Sequence, residues 1–119
     1  MRNSKTNGKT LKKAMSKCKK RFIAYSDTQF KYADTLEADN QIIDIQANVK
    51  LNSFPLGDCY TTDFLCKKAD NTYIAIETIE KKYLLKPMHL KLLENSRHYW
   101  LARGVDWKLI IGEKKNEKE

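Results

Sequence analysis

Acidic residues are missing from the first 26 positions of the chain, long apolar runs are missing throughout, and glycine, proline and cysteine number only four, two and three. Each scarcity excludes something. The uncharged apolar stretches reach only a few residues, against the roughly 20 that cross a bilayer, so neither a membrane span nor a membrane partner is expected. The basic start leads into no apolar segment and no small-residue cleavage site, so it does not read as a secretory leader, and a cytoplasmic location is expected. Cys18, Cys59 and Cys66 are odd in number and lack CxxC spacing, which argues against a disulfide framework and a structural zinc site alike. They read as space-filling residues. His89 and His98 flank no acidic pair, so they read as helix surface positions rather than metal ligands.

What is present is enough for one modest core in 119 residues, with 41% hydrophobic and 32% charged side chains, the balance of a soluble globular domain. The formal net charge of +8 is unevenly placed. Nine of the 23 basic groups precede Asp27, namely Arg2, Lys5, Lys9, Lys12, Lys13, Lys17, Lys19, Lys20 and Arg21, leaving 14 to face 15 acidic groups. Such a block attracts polyanions by releasing their condensed counterions, which makes DNA the natural partner and Lys12, Lys13, Lys17, Lys19, Lys20 and Arg21 the candidate contacts. A solvated arm that aids solubility or meets a partner protein is the plain alternative.

Residues 1–25 read as a basic arm and a short helix, because Leu11, Met15, Cys18, Phe22 and Ile23 recur at three- and four-residue steps. A compact domain is expected over residues 26–113 and a charged tail over 114–119. Ser26 is a suitable N-cap for a helix running through Phe30, Ala33 and Leu36 to an end at Asp39 and Asn40. Gln41 to Leu51 predicts a strand with Ile43, Ile45, Ala47, Val49 and Leu51 on one face. After a turn at Pro55, Gly57 and Asp58, strands at Tyr60 to Lys67 and Tyr73 to Thr78 form an antiparallel hairpin. Pro87 opens a helix carrying Leu92, Leu93, Tyr99 and Trp100 towards Gly104, and Trp107 to Ile111 make a last strand. The two tryptophans and Tyr99 read as core. The order α, β, β, β, α, β predicts an α/β domain with a mixed sheet flanked by helices.

Three segments carry a resemblance. The stretch Tyr99-Trp100-Leu101-Ala102-Arg103-Gly104-Val105-Asp106-Trp107-Lys108-Leu109-Ile110, the segment Tyr60-Thr61-Thr62-Asp63-Phe64-Leu65, and Ile74-Ala75-Ile76-Glu77 occur in the order found in TnsA-type transposon endonucleases. Residues from about Ser26 to Glu113 thus resemble the nuclease domain of that family, which implies a restriction-endonuclease-like αβββαβ core of the PD-(D/E)xK kind. The resemblance further implies that Asp63 and Glu77 hold Mg²⁺, since a hard cation needs oxygen ligands from adjacent strands and activates the attacking water.

Two positions depart from the family pattern. Gln29 stands where the first helix ordinarily supplies a glutamate, and Ile79 stands where a lysine follows the strand acid by two residues. Lys81 or Lys82 is the replacement candidate for that lysine. Two functions follow from the resemblance: a metal-dependent DNA endonuclease of a mobile element, with Asp63, Glu77, Gln29 and Lys81 or Lys82 at the site, or a catalytically inactive DNA-binding or complex-assembly relative. Full-length relatives carry a further winged-helix domain that contacts the transposase. Here that contact is expected to come from another DNA-processing subunit or to have been replaced by a different task.

Overall fold

A computed structural model describes residues 10–51 and 60–112 of the chain. These residues form an α/β fold in which a four-stranded mixed sheet packs between two helices. The elements are β1 (Leu11–Lys13), β2 (Phe22–Ala24), α1 (Asp27–Ala38), β3 (Ile42–Lys50), β4 (Thr61–Lys68), β5 (Tyr73–Glu80), α2 (Pro87–Leu101) and β6 (Asp106–Gly112). Strands β3, β4 and β5 run antiparallel in sequence, and β6 joins β5 in parallel after the α2 crossover. Among the described residues no helix is long and apolar enough to cross a membrane. The expected turn at Pro55, Gly57 and Asp58, Cys59 and the charged tail lie outside the described residues.

Local chemistry explains most of the boundaries. The Ser26 hydroxyl accepts the Gln29 N–H at 3.1 Å and caps α1, whose inner face carries Gln29, Ala33 and Leu36. Asp70 closes the β4–β5 hairpin by accepting from the Thr72 N–H and hydroxyl, while Asn71 takes the left-handed φ of +72° that asparagine tolerates. Pro87 starts α2, whose inner face carries His89, Leu93, Ser96 and Trp100. Gly104 turns out of α2 with φ +75°, and Gly112 ends β6 where an added Cβ would strike the Thr28 side chain.

Two cores result, one on each face of the sheet. On the α1 side, Ala33, Leu36, Ile42, Ile45, Phe64, Cys66 and Ile76 pack together; on the α2 side, Leu51, Tyr60, Ala75 and Trp100 do so, with Tyr99 and Trp107 against them. Burial lifts the Cys66 thiol to about 12, so it stays a neutral space-filler. Two side chains depart from expectation. A register shift between Ile42 and Asp44 turns Ile42 inward and leaves Ile43 about half exposed. His89, expected at the surface, is buried and stacked on Tyr83 with centroids 4.9 Å apart.

The basic segment also differs from expectation. Residues 11–24 form two short antiparallel strands rather than a helix, and Met15, Phe22 and Ala24 are buried in the α1-side core. The three- and four-residue apolar spacing served a ribbon folded back on the domain. That ribbon is stitched to α1. Lys13 Nζ pairs with Asp34 at 2.6 Å and donates to the Phe30 carbonyl, and Ser16 donates to Glu37, holding its carboxyl below the usual range. Lys17 Nζ donates to the Leu36 and Asp39 carbonyls at 3.0 and 2.7 Å, placing a cation at the negative end of α1. Replacing Lys17 with Met should therefore lower unfolding free energy by about 1–2 kcal/mol. Thermal and urea unfolding check this; an unchanged midpoint would show that the cap contributes nothing.

Candidate functional site

The sheet changes face at one level, and the candidate site lies there. Asn48 takes φ +56°, so Ala47 before it packs on the α1 side while Val49 after it packs on the α2 side. The register that pairs Ala47 with Phe64 and Val49 with Thr62 sets Asn48 opposite Asp63. Asn48 is held by both of its side-chain atoms: Nδ2 donates to the Ile23 carbonyl at 2.7 Å, and Oδ1 accepts from Gln29 Nε2 at 2.9 Å.

Gln29 is buried at the same spot. Its Oε1 accepts from the Tyr25 N–H at 2.8 Å, and its Nε2 also reaches the Asp63 carbonyl at 3.3 Å. Asp63 in turn accepts at Oδ2 from both the N–H and the hydroxyl of Thr78, at 2.6 and 2.7 Å. The structure thus brings together Gln29, Asn48, Asp63 and Thr78. Sequence reading singled out Gln29 and Asp63; it passed over Asn48 and Thr78, which stand among other polar residues of their strands and carry no signal of their own.

Glu77 goes elsewhere. It is fully buried, accepting from Tyr60 at Oε1 (2.9 Å) and from Thr62 and Ser96 at Oε2 (2.9 and 2.6 Å), while Trp100 Nε1 donates to Thr62 Oγ1 at 2.8 Å. Ser96 and Trp100 belong to α2, and successive β5 side chains leave opposite faces, so Glu77 and Thr78 project away from each other. Asp63 is tied to Thr78. The two carboxylates that the resemblance assigns to one Mg²⁺ are therefore drawn to opposite sides of β5.

Protein hydroxyls occupy both carboxylates that the resemblance assigns to the cation. Mg²⁺ demands near-octahedral oxygen ligands and gives up water reluctantly, whereas Glu77 is fully buried with both oxygens on protein hydroxyls. Asp63 Oδ2 is occupied by the N–H and hydroxyl of Thr78. Among the described residues no cluster of three or more His, Cys, Asp or Glu side chains is placed to hold a metal ion. Ile79 is buried, and Lys81 and Lys82 sit exposed on a single 3-10 turn after β5, where Lys82 lies 3.8 Å from Glu80 and over the Tyr83 ring.

The basic residues divide likewise. Lys13 and Lys17 are engaged with α1 as described, Lys12 is exposed on β1, and Lys19, Lys20 and Arg21 are exposed on the link that leads into β2.

The Glu77 network predicts an asymmetric mutational response. Glu77→Ala leaves three buried hydroxyls short of an acceptor and should cost about 3 kcal/mol or more, whereas Glu77→Gln keeps one acceptor oxygen and should cost less. Chemical unfolding of both variants measures this, and equal stability of Glu77→Ala and wild type would remove the structural role. Compared with known proteins, no family model matches this chain and no curated protein matches it.

Proposed function

We propose that this chain is a nuclease-fold DNA-binding subunit whose metal centre is silent, retained for binding or assembly beside a DNA-processing partner such as a transposase. The TnsA-like motifs support the restriction-endonuclease-like reading of the α/β core, and the exposed cations Lys12, Lys19, Lys20 and Arg21 in the acid-free stretch before Asp27 support a polyanionic partner. One observation carries the loss of catalysis: Gln29 Nε2 donates to two acceptors, Asn48 Oδ1 and the Asp63 carbonyl. A carboxylate in its place has no proton to give. The position that would supply a metal ligand in an active relative is instead a structural donor.

On this reading Asp63 and Glu77 hold the sheet together, and Ile79 belongs to the core rather than to a vacant lysine site. The endonuclease alternative needs Glu77 to exchange its three hydroxyl partners for a cation on the other face of β5. That exchange opposes the burial that holds it.

A supercoiled-plasmid nicking assay with Mg²⁺ or Mn²⁺, run beside a DNA-binding measurement in EDTA, tests the proposal. Wild type should bind DNA equally with and without metal and produce no nicks. Metal-dependent nicking that disappears in Asp63→Ala would overturn the silent reading and restore the endonuclease one. Absence of DNA binding under either condition would overturn the DNA-binding half.

A further inference from the structure

A groove of about 570 Å³ runs between the link into β2 and the exposed edge of β3. Lys19, Lys20 and Arg21 line one wall with Cys18, Phe22 and Tyr25 beside them, and Asp44 to Asn48 line the other. Among the described residues no carboxylate lies within ion-pair distance of these three cations, in contrast to Lys13, Lys82 and Arg97. A run of consecutive cations beside a concave wall repels itself unless an anion joins it.

The opposite wall adds donors. The Ile45 N–H points out of the sheet to the Lys17 carbonyl at 2.9 Å, and the alternation of an edge strand directs the Ala47 N–H, two residues further on, to that same outer edge. Gln46 is exposed beside it. Asp44 is the one acid on the lining, at the end near Cys18. Burial and the nearby Glu37 and Asp44 raise the Cys18 thiol above its ordinary value, so it stays neutral there and adds no negative charge against an incoming phosphate.

Resting on the DNA-binding reading above, we infer that this groove seats a single phosphodiester strand, with Lys19, Lys20 and Arg21 against successive phosphates and the β3 edge supplying hydrogen-bond donors. Its volume suits a ligand of small-molecule bulk, whereas a duplex, broader than a single strand, would rest on the rim and meet only part of the lining. The donors opposite the cations are the β3 backbone edge and the Gln46 amide, groups that read phosphate and sugar rather than base sequence. Binding is therefore sequence-tolerant.

The test uses the full chain and a fluorescent oligothymidylate, with a duplex of the same length as comparator, titrated over a range of salt. Converting Lys19, Lys20 and Arg21 to Glu should reduce the log-log salt slope on the single strand by about 2, since each phosphate contact on a single strand contributes about 0.7. Converting Lys31, Lys91 and Lys108, which are exposed elsewhere, to Glu alters net charge equally and should leave a larger slope. In parallel, peptide-mapped maleimide labelling of Cys18 should slow when the oligonucleotide is bound. A single-strand slope unchanged by the groove variant, or Cys18 labelling that ignores bound oligonucleotide, overturns the groove while leaving DNA binding in place. Tighter binding of the duplex than of the single strand overturns the assignment to one strand. Wild type that binds neither oligonucleotide overturns both the groove and the reading it rests on.

Discussion

A single buried amide, that of Gln29, ties the ribbon, the first helix and two strands of the sheet to one another. It accepts from the Tyr25 N–H where the ribbon enters α1, donates to Asn48 in β3, and donates to the Asp63 carbonyl in β4. Asn48 in turn fixes the Ile23 carbonyl of β2. An amide is the side chain that offers donor and acceptor together at this length, and buried donors and acceptors left unpaired each cost about 1–3 kcal/mol. The left-handed backbone at Asn48, the change of face along β3 and the orientation of Asp63 all meet this amide. A carboxylate here would take this donor from Asn48 Oδ1 and the Asp63 carbonyl.

On the other side of the sheet a charged-type residue is enclosed by hydroxyls. Glu77 links β4 and β5 to α2 through Tyr60, Thr62 and Ser96, with the Trp100 indole completing the chain of hydrogen bonds through Thr62. Networks of this kind favour one packing of helix on sheet because every member loses a partner if the helix rotates. The same residues, read as a motif, point to catalysis. Read as geometry, they point to how α2 is held, and the proposed function follows the geometry.

Most of the architecture was legible in the chain itself. Ser26, Pro87, Asn71 and Gly104 punctuate the elements as their backbone preferences require, and alternation located β4, β5 and β6 within one or two residues. Two things were not legible. The apolar residues from Leu11 to Ile23 have helical spacing, yet their burial against α1 and β3 is a tertiary matter that local periodicity cannot register. The facing of Glu77 depended on strand parity at Thr78 and on Ser96, nearly 20 residues away, so a linear motif could place the acid on the right strand without knowing which side it leaves. The basic run was visible as charge. That Lys13 and Lys17 serve α1 while Lys19, Lys20 and Arg21 line a groove required the fold.

Thermal unfolding of Gln29→Glu with and without Mg²⁺ distinguishes an amide that serves position 29 as a structural donor from one that stands for a depleted metal ligand. A structural donor gives a loss of about 1–3 kcal/mol from the two acceptors left facing a carboxylate, with a midpoint that Mg²⁺ does not raise. A variant that Mg²⁺ stabilises to or beyond wild type would show a latent metal site at Asp63 and contradict the structural role.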